Sequence, residues 1–157
     1  MEPTKISIQD ASLKHLDRLY EVEQKCFKSE AFTKQQIANL LAHPNSISLI
    51  AKDNHNIIGF IIGVIFHERE KLTGHILTID VYPSHRRMGI GSTLLKQIEK
   101  IFIGKGVKTC YLEAREDNVA ALNLYQKLGY KKVGNLKNYY KDAHGILFEK
   151  SLKSSSL

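Results

Sequence analysis

Ile76-Leu77-Thr78-Ile79-Asp80-Val81-Tyr82-Pro83-Ser84-His85-Arg86-Arg87-Met88-Gly89-Ile90-Gly91-Ser92 is the stretch whose reading decides the fold. A β-branched, apolar run ends in a short turn at Pro83. Two arginines and two glycines then open an amphipathic segment, Ser92 to Phe102. That order is a strand, a glycine-rich loop and a helix N-terminus, a place that offers backbone N–H groups to an anion. Glycine lets a ligand approach the backbone because no Cβ intervenes, and Arg86 and Arg87 neutralise phosphate charge. The segment therefore reads as a pyrophosphate cradle. It is not a dinucleotide fingerprint, since Gly89-Ile90-Gly91-Ser92-Thr93-Leu94 lacks the third glycine, and it is not a P-loop, since no Gly-Lys-Ser/Thr is present.

Upstream of the cradle, Lys5 to Gln9 reads as a short edge strand. Ser12 to Cys26 has helical period, with Leu13, Leu16, Tyr20 and Glu23 on one stripe and Leu19 and Val22 beside it. Thr33 and Gln36 have capping-box spacing and open a second helix carrying Ile37, Leu40 and Leu41, which His43-Pro44-Asn45 stops. A β-meander follows: Ile47–Ala51, turn residues Asp53 to Asn56, Ile57–Phe66, a charged loop His67–Lys71, and Gly74–Val81. Gly59 and Gly63 mark bulges or close approaches.

Downstream, the cradle helix carries Leu94, Leu95, Ile98 and Phe102 and ends at Gly104 and Gly106. Lys108–Ala114 is a strand. Asn118–Leu128 is a helix, with Asp117 or Asn118 as cap and Gly129 just past its end. Tyr130–Val133 and Ile146–Lys150 close the sheet. A meander followed by alternating strands and helices gives one α/β domain over 1–152, a mixed sheet with helices on both faces, and residues 153–157 as an unstructured tail. Gly74–Val81 and Lys108–Ala114, joined through the cradle helix, are expected to run parallel.

The 157 residues, 43% of them apolar, suit one domain with a substantial core. No apolar run approaches membrane-span length, and the first residues lack the apolar core of a secretory signal. Cys26 and Cys110 have no metal spacing, and a reducing, cytoplasmic setting fits them. The formal charge of +7 attracts nucleic acid, ribosomes or an anionic cofactor. The plainer reading is a solvated lysine-rich surface, because the lysines are scattered and not interleaved with aromatics.

Arg86-x-x-Gly89-x-Gly91, within this strand–loop–helix, resembles the Q/R-x-x-G-x-G/A motif of the GNAT acetyltransferase superfamily. Nearly the whole chain follows that superfamily's order, including Leu124 to Tyr130. The resemblance implies the GNAT fold, with splayed parallel central strands, and acetyl-CoA as co-substrate without a metal. The cradle residues Arg86, Arg87, Met88, Gly89, Ile90, Gly91 and Ser92 would hold the pyrophosphate. The backbone of Ile79, Asp80 and Val81 would lie along the pantetheine arm, where an N–H can polarise the thioester carbonyl. The Asp80 side chain is not needed for this and is expected to face solvent.

Leu112-Glu113-Ala114-Arg115 leading to Asn118, Ala121, Leu124 and Tyr125 is similar to a block of protein N-terminal acetyltransferases, bacterial ribosomal-protein alanine enzymes and archaeal ones among them. Asn138-Tyr139-Tyr140 and Gly74-His75 extend the likeness. It implies transfer of acetyl to a protein's N-terminal amine by direct attack in a ternary complex. Glu113 would act as base with His75 sharing that role, and Tyr125 would be both a cofactor contact and the proton donor to the departing thiolate. The plainer alternatives are a salt-bridged Glu113, a structural His75 and a core Tyr125. Asn118 caps its helix, contacts the cofactor, or does both. Phe27, Phe32, Tyr139 and Tyr140 are candidates for the acceptor groove, or else ordinary packing. Cys110 is expected in the core. The expected partners are protein N-termini and, from the basic charge, the ribosome, for a monomer or weak dimer. Transfer to a lysine side chain or small amine is the first alternative, and a non-catalytic CoA-binding module the second.

Overall fold

The computed structural model describes residues 5–153. The described residues form seven strands: β1 (Ile6–Asp10), β2 (Ser46–Asp53), β3 (Asn56–Glu68), β4 (Lys71–Val81), β5 (Thr109–Arg115), β6 (Lys131–Tyr140) and β7 (Ala143–Ser151). Four α-helices accompany them: α1 (Leu16–Cys26), α2 (Lys34–Ala42), α3 (Ile90–Gly104) and α4 (Val119–Lys127). The strands hydrogen-bond in the order β1-β2-β3-β4-β5-β7-β6. β4 and β5 are parallel from Thr73↔Thr109 to Ile76↔Leu112, while β1–β2, β5–β7 and β6–β7 are antiparallel, so the sheet is mixed. Beyond Lys153, the expected tail lies outside the described residues.

The chain divides into two compact units. The first takes the chain up to Gly63 and Thr78–Ile98, and the second takes Val64–Leu77 and the chain from Glu99 onward. In the first unit Leu19, Val22, Ile37, Ile50, Ile57, Phe60 and Ile62 form a buried cluster, with Leu16, Tyr20, Phe32, Leu40 and Leu41 packed against it. The buried face of α1 is Leu19, Val22 and Glu23. Leu13, placed on the apolar stripe by spacing, is 53% exposed. The reason is local: Leu13–His15 is a 3₁₀ turn, closed by the Ser12 N–H on His15 Nδ1 at 3.0 Å, and the α-helix begins only at Leu16. The capping box of α2 forms as spaced. Thr33 Oγ1 accepts from the Gln36 amide at 3.1 Å and Gln36 Oε1 from the Thr33 amide at 2.8 Å, a cap that contributes about 1 kcal/mol.

In the second unit Cys110, Leu112 and Ala114 alternate inward along β5. A Cβ at Gly74 would stand 2.5 Å from the Phe102 ring, so a bare β4 backbone is what lets α3 lie close there. The Asn118 side chain accepts from the Ala121 amide at 3.2 Å, settling the cap of α4, and Gly129 follows at φ +94°. Two expectations are corrected. The charged stretch His67–Lys71 is no loop, because β3 runs to Glu68, β4 starts at Lys71, and Arg69 and Glu70 make a two-residue turn at φ 50° and 68°. Polar residues appear there because this end of β3 is exposed. Likewise the closing strands are longer than Tyr130–Val133 and Ile146–Lys150. β6 is an exposed edge strand with register shifts after Lys132 and Leu136, so it shows no apolar alternation to read.

Candidate active site

The cradle belongs to the first unit. Pro83–His85 forms a 3₁₀ turn, tied down by His85 Nε2 on Asp53 Oδ2 at 2.8 Å and by Ser84 Oγ on His85 Nδ1 at 2.7 Å. Arg86 turns its Nε back to the Val81 carbonyl at 3.1 Å. Arg87 (φ 65°) and Gly89 (φ 78°) are left-handed, and only glycine takes that conformation without steric cost. Ile90 is buried and anchors the start of α3, whereas Arg86 to Gly89 are exposed. The first helical bond of the series is Thr93 N–H to Gly89 O at 3.0 Å. The amides of Ile90, Gly91 and Ser92 therefore precede any intrahelical acceptor. Consecutive amides, a helix start and two guanidinium groups fit a pyrophosphate.

The segment Ile79–Val81 differs from expectation in one respect. Along β4 the inward face is Ile76, Thr78 and Asp80, so the Asp80 carboxyl does not face solvent: it is 0% exposed. It lies 2.5 Å from Thr78 Oγ1, which is also 3.2 Å from Glu23 Oε1. Burial first, and then the Glu23 charge, hold Asp80 well above the usual carboxylate range. Cys26 donates its thiol to the Val81 carbonyl at 3.4 Å, and burial pushes that thiol up to about 11. It is thus a neutral thiol rather than a nucleophile at physiological pH. Cys110 is buried as expected and pushed up to about 12.

The second unit holds an imidazole–carboxylate pair. His75 stands opposite Tyr111 in the parallel ladder, and Glu113, two residues on, shares that face of β5. His75 Nε2 lies 2.7 Å and 2.8 Å from the two oxygens of Glu113. Tyr139 donates its hydroxyl to Glu113 Oε1 at 3.4 Å. Burial, then the charge of Glu113, raise the Tyr139 phenol above its ordinary value, so it stays a donor. The side chains of His75 and Glu113 are 31% and 15% exposed, sheltered but reachable. A carboxylate accepting Nε2–H leaves Nδ1 of a neutral ring as a proton acceptor.

The remaining candidates are placed as follows. Tyr125 is buried, edge-on to Tyr130 and Phe148 with centroids 6.2 Å and 5.8 Å away. Tyr140 lies edge-on to Tyr139 at 4.9 Å, with the Arg115 guanidinium 5.6 Å over its ring. Phe27 and Phe32 are half-buried in the first unit, and Phe32 donates its amide to Glu23 Oε2 at 2.9 Å. The structure thus joins His75, Glu113 and Tyr139 directly. Sequence reasoning missed the Tyr139–Glu113 contact, the Asp53–His85 tie and the Glu23–Thr78–Asp80 group. A glutamate on the apolar stripe of α1 was the available signal for the last.

The geometry can be set beside known proteins. The family model described as the acetyltransferase (GNAT) family matches residues 16–130. An uncharacterised N-acetyltransferase of Methanocaldococcus jannaschii is 30% identical over 143 residues, covering 89% of this chain and 87% of that protein. An N-alpha-acetyltransferase of Sulfurisphaera tokodaii is 29% identical over 147 residues, covering 86% of each. The crystal structure of the ribosomal-protein alanine N-acetyltransferase of Escherichia coli shares the fold at a TM-score of 0.85, with 23% identity over 98% of this chain and 99% of that one. The family model spans most of the chain, and the chain belongs to the acetyltransferase (GNAT) family.

Proposed function

We propose that this protein is an Nα-acetyltransferase, moving the acetyl group of acetyl-CoA to the N-terminal amine of proteins. The observation that carries the reading is the His75–Glu113 pair with the Tyr139 hydroxyl on the same carboxylate. The likeness to an N-alpha-acetyltransferase over 86% of the chain supports it. Residues 1–152 are taken as one catalytic domain.

An N-terminal amine has a pKa of about 7.7–8.0, so a good fraction is neutral near pH 7.5, whereas a lysine amine at about 10.4 is almost wholly charged. A modest base suffices for the first. In the proposed reaction the amine nitrogen forms a bond to the thioester carbonyl carbon and the carbon–sulfur bond breaks. Glu113 takes the amine's proton, directly or through a water, and His75, paired with it, shares that role. Arg86, Arg87 and the amides of Gly89 to Ser92 hold the pyrophosphate, and the backbone of Ile79 to Val81 lines the pantetheine arm. Tyr125 gives a proton to the departing thiolate, and Asn118 adds a cofactor contact to its capping role. Phe27 and Phe32 of the first unit, and Tyr139 and Tyr140 of the second, are the proposed acceptor contacts. The raised Cys26 thiol favours direct transfer over an acyl-cysteine.

Peptides with free or blocked N-termini, incubated with acetyl-CoA and read by mass spectrometry, test this. Acetylation confined to free N-termini is expected. Acetylation of blocked, lysine-containing peptides alone would overturn it.

A further inference from the structure

The inward face of β4 beside the cradle carries a polar group that the transfer chemistry leaves unused. Thr78 Oγ1 sits between two carboxyls, 2.5 Å from Asp80 Oδ1 and 3.2 Å from Glu23 Oε1. Glu23 Oε2 accepts the Phe32 amide at 2.9 Å. Asp80 and Glu23 are 0% and 1% exposed, and Asp80 Oδ2 is buried with no hydrogen-bond partner.

Counting hydrogens sets how many protons the group needs. A threonine hydroxyl has one hydrogen to give. If both carboxyls were ionised, one of the two oxygen contacts at Thr78 would set lone pair against lone pair, and two like charges would share a buried site. A proton on either carboxyl removes the conflict, and the Phe32 amide on Glu23 Oε2 favours the charge there, which leaves the proton on Asp80 Oδ1. Asp80 then donates to Thr78, Thr78 donates to Glu23 Oε1, and Glu23 keeps its second oxygen for Phe32. Each contact holds one hydrogen and the group carries one charge. The groups facing Asp80 are few. α1 presents Glu23 and Cys26, β4 presents Thr78, and the exposed Arg86 acts from the cradle. β3 presents bare backbone at Gly59, where a Cβ would lie 2.7 Å from the Asp80 carbonyl.

We propose that Asp80 is a neutral acid in the folded protein and a positioning residue. Its proton completes the chain Asp80–Thr78–Glu23–Phe32, which holds the loop between α1 and α2 in the shape that receives the acceptor. The second half rests on the reading of Phe27 and Phe32 as acceptor-groove residues. The loop begins where Phe27 leaves α1 and ends at the Thr33 cap of α2. Of its backbone, the Phe32 amide is the point at which the buried chain takes hold.

The proton is read without activity, from the infrared C=O stretch of a protonated carboxyl at pH 7. The band is expected in the native protein and is expected to vanish in Asp80→Asn; its absence from the native protein overturns the protonation. The positioning role is read from the split between kinetic constants. Asp80→Ala is expected to raise the KM for a free-N-terminal peptide about tenfold, the effect of one lost hydrogen bond, while kcat stays within about twofold. Asp80→Asn, whose amide N–H can donate to Thr78, is expected to restore that KM. A KM raised equally in both variants overturns the donor role. If the native protein acetylates no peptide, the acceptor reading has failed on its own. Hydrogen exchange at the Phe32 amide then decides the loop: faster exchange in Thr78→Val is expected, and unchanged exchange overturns the chain.

Discussion

Glu113 and Asp80 are both carboxyls on adjacent central strands, yet their surroundings give them opposite work. Glu113 has a donor on each oxygen, the His75 ring spanning both and the Tyr139 hydroxyl on one, and it keeps some access to solvent. Asp80 has no access, shares a hydroxyl with a second carboxyl and leaves one oxygen unpartnered. Donors favour the charged form, and burial beside a like charge favours the neutral one. The residue type therefore assigns neither role. The hydrogens available around each carboxyl do: in the proposed reaction Glu113 takes a proton, whereas Asp80 holds one in the folded protein.

The comparison breaks most readily at Glu113. Glu113→Gln keeps the shape and removes the carboxylate that takes the proton; kcat/KM for a free-N-terminal peptide is expected to fall about 10³-fold, within the usual range for acid–base groups. Retention of full activity across pH would end its role. His75→Ala is expected to cost less, about 10²-fold, because Glu113 can still act through a water. A loss larger than that of Glu113→Gln would make the imidazole the main acceptor and the carboxylate secondary.

A separate readout is stability at Asp80. Its folded value is raised, so the folded state binds a proton that the unfolded chain loses above about pH 4. Its contribution is fully present below that pH and declines as pH rises toward the folded value, by at most about 1.4 kcal/mol per pH unit. Urea unfolding of the native protein and Asp80→Asn between pH 5 and about pH 8 is expected to show the variant gaining on the native protein as pH rises. Parallel curves would mean an ionised Asp80.

What the sequence made legible was local. The apolar spacing of α3 predicted Leu94, Leu95, Ile98 and Phe102, all buried, and Thr33, Gln36 and Asn118 cap their helices as their positions imply. The strand–loop–helix order from β4 to α3 was legible for the same reason, since its glycines, arginines and helix start are contiguous. The end of β3, the start of β4 and most of β6 beyond Val133 were not, because strands exposed on both faces or lying at an edge lack a two-residue apolar period. The acid chain was hidden by distance: Glu23 and Thr78 are 55 residues apart. Alternation puts Thr78 and Asp80 on one face of β4, but it does not say what opposes that face.

One peptide carrying both a free N-terminus and an internal lysine, incubated with acetyl-CoA and mapped by tandem mass spectrometry, tests the central claim most directly. Acetyl is predicted on the N-terminal nitrogen, at a rate that falls when Glu113 is replaced by glutamine. Acetyl on the lysine nitrogen, with the N-terminus left free, would contradict the account.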